Sequence, residues 1–333
     1  MKVRLIVLIG LIGLVIGAIS FDNRLCAQDV HFSMLDLDPL LFNPAYSGFF
    51  DGKGRYGVIY RNQWASVSVP FQTVSATAEM AITRNSHAMN GLSGGLCLTA
   101  DRAGSLGYGS TSASAIVSFF QGVGDGTNIF SVAAEVGVGQ AGFSTGNIML
   151  ADATEDIRNT SVIYPTVGAG VAWFWQVSDV LYTKVGVSVR NINEPDVSYF
   201  GDVAMSRLSR HLNVYSRAEW RMASNWSILP LLAFQKQQGY SEMLYGCDAR
   251  FYANDDMENL LAFGAGLMAR HGDALSVNLA VLWHEWTFAF CYDANISRLA
   301  SASHTLGAFE LGVVYLMPKP AANRRPALPC PIF

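Results

Sequence analysis

Along most of the chain, apolar residues alternate with small or polar ones at a period of two. This is the spacing of a strand whose two faces meet different surroundings. In the stretch 261–270, Leu261, Phe263, Ala265, Leu267 and Ala269 fall on one face, and Ala262, Gly264, Gly266, Met268 and Arg270 on the other. Val185, Val187 and Val189 oppose Lys184, Gly186, Ser188 and Arg190. Phe130, Val132, Ala134, Val136 and Val138 oppose Ser131, Ala133, Glu135, Gly137 and Gly139. Leu212, Val214, Ala218 and Trp220 oppose Asn213, Arg217, Glu219 and Arg221. A soluble sandwich would place Lys, Glu and Thr on the non-core face. Here that face is mostly Gly, Ala and Ser with sparse charges, as suits the confined inside of a barrel whose apolar face meets lipid.

The pattern predicts an all-β fold, a transmembrane antiparallel β-barrel of about 14 strands. Strands are expected to start near Arg55, Thr73, Leu92, Tyr108, Ile129, Thr166, Leu181, Leu212, Trp226, Met243, Leu260, Leu275, Trp286 and Leu306. The connections through 145–165 and 193–206 are long, whereas those at Ser178-Asp179 and Ala223-Ser224-Asn225 are short. Long outer loops and short periplasmic turns are the expected asymmetry, with the turn at 253–259 longer than ideal. Trp173, Trp175, Trp220, Trp226, Trp283 and Trp286 lie near predicted strand ends, where aromatic belts meet the interface.

Composition sharpens this picture. Charged residues make up 14% of the 333 residues, against about 25% in an average soluble domain. The net charge of -4 gives no nucleic-acid footprint. Lys2 and Arg4, then an apolar run, then Leu25-Cys26-Ala27, read as a signal peptide over 1–27. The expected division is a periplasmic N-terminal segment over 28–54, a barrel over 55–317 and a Pro-rich periplasmic tail over 318–333. Turn signals stand at Asp38-Pro39 and Asn43-Pro44, the latter restricting Asn43 to extended geometry.

Catalytic and metal motifs are not evident. The six histidines form no H-E-x-x-H, no G-x-S-x-G occurs, and the cysteines lack ligand spacing. No enzyme activity, metal or cofactor is expected; an outer-membrane lipid enzyme would rest only on scattered His and Ser, His284 first. The inward face carries Arg55, Arg61, Glu79, Glu135, Lys184, Arg190, Arg217, Glu219, Arg221, Asp248, Arg250, Glu285, Asp293 and Glu310. Both signs occur together. They read as a salt-bridged lumen or as a polar path, and the first is preferred because paired charges are ordinary structure inside barrels.

The two ends of the mature chain resemble the PorP/SprF family of type IX secretion membrane proteins from Bacteroidetes. The resemblance rests on Gln28-Asp29, His31-Phe32-Ser33, Pro39, Asn43-Pro44-Ala45, Gly48, Arg55, Tyr60-Arg61-Asn62-Gln63-Trp64, Phe71, Thr73 and Ser75. It continues in Tyr292-Asp293, Asn295, Ser297, Leu299, Phe309-Glu310-Leu311, Tyr315 and the closing Cys330-Pro331-Ile332-Phe333. The resemblance implies an outer-membrane barrel that associates with the translocon, with periplasmic ring proteins or with a secreted C-terminal-domain cargo protein, often an adhesin. Candidate partner or motif residues are Asn43, Pro44, Arg61, Gln63, Trp64, Phe71, Thr73, Cys330 and Phe333. Arg61, Gln63 and Trp64 serve either as partner anchors or to seat the first strand against the last. A passive channel for small solutes is the alternative to a binding role.

Overall fold

Lipid-facing strands satisfy their backbone only if the sheet closes, because hydrocarbon offers no partner to an open edge. The computed structural model describes residues 31–64, 69–85, 90–104, 108–124, 127–143, 161–198, 207–255, 259–297, 300–303 and 305–319. It closes the sheet into a single barrel of 14 antiparallel strands. They are β1 (Gly54–Gln63), β2 (Phe71–Asn85), β3 (Asn90–Ala103), β4 (Tyr108–Val123), β5 (Asn128–Gly142), β6 (Ser161–Ser178) and β7 (Leu181–Arg190). Then follow β8 (His211–Ala223), β9 (Trp226–Gln237), β10 (Tyr240–Asn254), β11 (Leu261–Arg270), β12 (Ala274–Trp283), β13 (Trp286–Asn295) and β14 (Leu306–Met317). The seam joins β1 to β14 without a break, from Gly54↔Met317 to Gln63↔Ala308.

The faces follow the alternation. Ile163, Leu267 and Val136 point outward with 71%, 68% and 60% exposure, whereas lumen-facing Ser75 and Glu310 have none. An apolar outer band with a polar, buried inside is the arrangement a bilayer demands of a barrel. No helix among the described residues is long and apolar enough to cross a membrane.

β6 begins at Ser161 rather than at Thr166, so it runs through Pro165. The ladder from β6 to β7 starts at Ala169↔Val189, and beyond it the Pro165 carbonyl and the Val167 N–H turn to the Asn193 side chain. A strand residue directs its N and O to the same side, so the missing proline N–H falls where no strand pairs. Pro230 in β9 has the matching effect. It pairs with Cys247 of β10, while the ladder to β8 skips between Arg217↔Leu231 and Trp220↔Ile228.

The two ends of the barrel differ. At one end lie the connections after Gln63, Ala103, Gly142, Arg190, Gln237, Arg270 and Asn295, among them the two longest; the last carries α2 (Ala300–Ser303). At the other lie the connections after Asn85, Val123, Ser178, Ala223, Asn254 and Trp283, all short. Trp173, Trp175, Trp220, Trp226, Trp283 and Trp286 all sit at this short-turn end. Together with Tyr56, Tyr315 and Phe251 they form an aromatic belt. Strands β2 to β6 hold 14 to 18 residues, more than the roughly 9–11 that span a bilayer.

Residues 31–50 depart from expectation. The segment was expected to precede the barrel on the periplasmic side; instead it runs inside the lumen. Phe32, Met34, Leu35, Leu37, Leu40, Phe42, Ala45, Tyr46 and Phe50 are all buried there. Each large apolar side chain so covered contributes about 1.5–3 kcal/mol relative to exposure, which a linker in water would forgo. We call this segment the strap. The expected signal peptide over 1–27, Gln28-Asp29, His87, His304 and the tail from 320, with Cys330 and Phe333, lie outside the described residues.

Candidate functional site

Two successive Asx-Pro steps shape the strap. Asp38 caps α1 (Pro39–Phe42), its carboxylate accepting the Leu41 N–H at 3.2 Å with Pro39 in the first turn. Asn43 ends that turn in extended geometry, φ -149° and ψ 116°, as a residue before proline should. Its Oδ1 accepts the Ala45 N–H at 2.9 Å and so starts a 3-10 turn over Pro44–Tyr46. Its Nδ2 donates to the Val171 carbonyl of β6 at 3.1 Å. The wall makes room here with glycine: a Cβ on Gly170 would lie 2.1 Å from Asn43 Oδ1, and one on Gly186 would lie 2.5 Å from the Tyr46 hydroxyl.

At the loop-rich end the strap is held by a charge cluster. The Ser33 and Met34 N–H groups donate to the two oxygens of Glu310 at 2.7 and 3.0 Å. The Ser33 hydroxyl lies 2.9 Å from both Asp293 oxygens and accepts from Arg270 Nη2 at 2.6 Å. Arg61 Nη1 bridges Asp293, at 2.8 Å, and Glu310. Arg270 reaches Glu242 at 3.3 Å and Asp273 at 3.2 Å. Every charge in this cluster has an opposite neighbour, as burial requires.

Midway, Asp36 pairs with Lys184 at 3.0 Å and Arg217 at 2.9 Å, and accepts from the Tyr215 hydroxyl. Two cations and a hydroxyl thus surround this one carboxylate, offsetting the cost of burying it. Asp38 accepts hydrogen bonds from the Ser75 hydroxyl and the Leu41 N–H. Arg55 joins Glu79 at 3.1 Å and the Asp36 carbonyl at 2.7 Å. Arg190 joins Glu135 at 2.7 Å and the Leu41 carbonyl at 3.2 Å. Toward the short-turn end, Glu79 accepts the Gly48 N–H at 2.8 Å, Arg84 donates to the Phe50 carbonyl at 2.9 Å, and Lys319 pairs with Asp51 at 2.5 Å.

The charged lumen is therefore a set of paired groups, many of them gripping the strap. Sequence reasoning placed most of its wall members inward. Ser33, Asp36, Asp38, Glu242 and Arg270 were not among the inward polar groups it gave, although Ser33 stood in the family-like segment and Asp38 in a turn signal. Arg270 was visible in the alternation, opposite Leu267 and Ala269. The strap's signal was its run of Phe32, Met34, Leu35, Leu37 and Leu40, too apolar for an exposed linker.

The candidate residues separate by location. Asn43 and Pro44 are buried in the lumen, and Arg61 and Thr73 are buried on its wall, Thr73 donating to Asp101 at 2.6 Å. As they stand, these four have no surface to offer a partner. Arg61 pairs with Glu310 of β14 and Asp293 of β13, so it seats the first strand against the last two. Gln63, Trp64 and Phe71 lie at the loop-rich mouth, half-buried. Trp64 takes a left-handed backbone (φ 58°), donates to the Gly307 carbonyl at 2.9 Å and packs edge-on to Phe71, ring centroids 5.1 Å apart. On the outer wall near the same mouth, a groove of about 590 Å³ is lined by Tyr60, Gln72, Arg102, Thr111 and Gln140. Val74, Ala100 and Phe143 also line it, so polar and apolar groups are mixed there.

Among the described residues no group of three His, Cys, Asp or Glu is arranged to hold a metal ion. Cys97 and Cys291 are buried free thiols, and Cys247 is an exposed one on the outer face. His284 occupies the turn between β12 and β13 in left-handed geometry, against the Trp283 ring.

A family model described as the type IX secretion system membrane protein PorP/SprF matches residues 25–315. No curated protein matches the chain. Among solved structures, the toluene transporter TbuX of Ralstonia pickettii is similar with a TM-score of 0.52 at 10% identity, covering 90% of this chain and 96% of that one. A deltaS2S3 mutant of the TodX monoaromatic hydrocarbon channel aligns with a TM-score of 0.54 at 9% identity, covering 84% and 94%. At such identity the likeness concerns the outer-membrane barrel fold alone.

Proposed function

The chain belongs to the PorP/SprF family of type IX secretion system membrane proteins, and from that premise we propose that it is an outer-membrane accessory barrel acting by binding. Its partners are the translocon, the periplasmic ring proteins or a secreted C-terminal-domain cargo protein, whose secretion or surface anchoring it assists. The lipid bilayer is its solvent. The observation that carries this reading is the strap. A barrel whose bore is crossed by its own buried chain, held at three heights by ion pairs, works through its mouths and walls. The Trp64–Phe71 pair at the loop-rich mouth and the mixed polar and apolar groove beside it offer an aromatic anchor and hydrogen-bonding groups, the mixture found at protein interfaces.

The test is affinity recovery of the tagged protein from outer membranes under mild detergent. Co-recovery of a translocon subunit, a ring protein or a secreted surface protein is expected; recovery of none of these would count against the proposal. The passive-channel reading shares the barrel but meets the strap. In planar bilayers the purified protein is expected to pass no steady current, and a large partner-independent conductance would favour the channel instead.

A further inference from the structure

The strap has a direction, and it runs against the habit of barrels whose two termini share one end. Its first described residues sit at the loop-rich end. Ser33 binds Arg61, third from the end of β1, Asp293, third from the end of β13, and Arg270, the last residue of β11. His31 and Phe32 border a small cavity with His211, the first residue of β8, and Arg190, the last of β7. Its last residues sit at the other end. Arg84, near the end of β2, holds the Gly48 and Phe50 carbonyls, and the Lys53 N–H meets the Met317 carbonyl where β14 ends. Between these points the descent is not even: Asp36 reaches down to Lys184, Leu41 returns to Arg190 at the end of β7, and Asn43, Ser47 and Gly48 then step down past Val171, Ser93 and Glu79. The chain thus enters the bore at the loop-rich mouth, descends through it and turns at 51–53 into β1.

We propose that the strap enters from the cell surface, so that its N-terminal end at His31 stands at the outer mouth of the barrel while the C-terminal end of β14 at Met317 stands on the periplasmic side. The loop-rich end is the outer end by the general asymmetry of such barrels, whose turns are short on the periplasmic side. The belt of six tryptophans at the short-turn end agrees with an interface there. The inference rests on the outer-membrane placement given above and deepens it on one point. The N-terminal side becomes part of the face that meets a secreted surface protein, and the C-terminal side part of the face that meets periplasmic components. The lumen cluster around Ser33 is then the grommet through which the chain passes, and its full pairing keeps that passage closed to water.

The experiment places an epitope tag after Asp29 in one full-length variant and after Lys319 in another. Each is expressed in cells of its own outer membrane, and barrel folding is verified by the mobility shift on unheated gels. Antibody binding is read on intact cells and again after outer-membrane permeabilisation, with a soluble periplasmic protein as the leakage control. The expected result is at least a tenfold signal over the leakage control for the Asp29 tag on intact cells. The Lys319 tag should gain its signal only on permeabilisation. A folded Asp29-tagged barrel that binds antibody only after permeabilisation would overturn the proposal. Should that insertion prevent folding, Val30→Cys in a Cys247→Ser, Cys330→Ser background is probed with a membrane-impermeant maleimide. Labelling on intact cells supports the proposal, and protection until permeabilisation overturns it. Failure of partner recovery in the affinity experiment leaves these readouts unchanged, so the two readings fail separately.

Discussion

Replacing Arg61 by Met tests whether the Ser33 cluster holds barrel and strap together. The guanidinium lies 2.8 Å from Asp293 and also binds Glu310, which is fully buried. A charge pair at about 4 Å interacts by roughly 4 kcal/mol at an effective dielectric of about 20. Removing the cation strands two carboxylates unequally. Asp293 keeps Arg270 at 3.5 Å and the Ser33 hydroxyl, whereas Glu310 keeps only the two strap N–H groups. Leaving a buried charge uncompensated costs about 3–5 kcal/mol, and the hydrogen bonds left to Glu310 place the expectation at about 3. Adding Glu310→Gln removes the stranded charge while the Gln side chain can still accept from the strap, so the double variant should regain more than about 1.5 kcal/mol, roughly one charged hydrogen bond's worth. Urea unfolding of the refolded protein in detergent, followed by tryptophan fluorescence, gives the four free energies of the cycle. An Arg61→Met variant within 1 kcal/mol of the parent, or additive effects in the double variant, would refute the reasoning.

Gly170→Ala should drive Asn43 and Pro44, and Gly186→Ala should drive Asn43 and Tyr46, from the β6–β7 wall, each destabilising the barrel by about 1–3 kcal/mol through overpacking; added protease should then cut the 31–50 segment faster in the detergent-solubilised variants, and parental cutting rates would oppose this. Asn43→Ala removes a cap and a wall hydrogen bond together and should cost about 1–3 kcal/mol, read by the same urea titration. Burial, opposed by Glu242 and reinforced by Arg270 and Arg61, lowers the His31 imidazole to about 4 from 6.5. A base lowered on docking binds its proton better when undocked, so its contribution should be intact above pH 6.5 and decline between pH 6.5 and 4. Hydrogen exchange of the strap's first residues at pH 7.5 and 5 should show the loss, and His31→Phe should abolish the difference. Removing residues 31–50 should convert a silent barrel into a conducting one in planar bilayers, and continued silence of a folded deletion variant would mean that something else closes the bore.

Much of the wall was legible in the sequence because a barrel strand writes its two environments at alternate positions. Phe263 and Leu267 against Ala262 and Met268 needed no tertiary knowledge. The start of β6 was less legible, since Pro165 reads as a boundary unless one knows that β7 stops short of it. The strap was the larger omission. Asp38-Pro39 and Asn43-Pro44 announced its turns correctly, but local signals do not reveal that Asp36 faces Arg217 and Lys184 from strands well over a hundred residues away. Arg61, Gln63 and Trp64 are neighbours in sequence with different surroundings. Arg61 serves closure within the lumen, while Gln63 and Trp64 reach the mouth, a distinction set by how far β1 extends rather than by residue type. Where partners bind follows from surfaces, and surfaces carry the weakest sequence signal of all.

Because Ser33 and Met34 hold carboxylates from β13 and β14 while Arg55 of β1 holds the carbonyl of Asp36, assembly has a preferred order. The first twenty described residues touch the earliest and latest strands of the sheet, so they are placed most readily as the seam zips shut; afterwards the chain end would have to thread the closed bore lengthwise. Closing the wall and stoppering it are thus one cooperative event. A chain made without its leading stretch would still zip its seam through the β1–β14 ladder, but around a vacant bore and without the pairs that tie both edges to one segment.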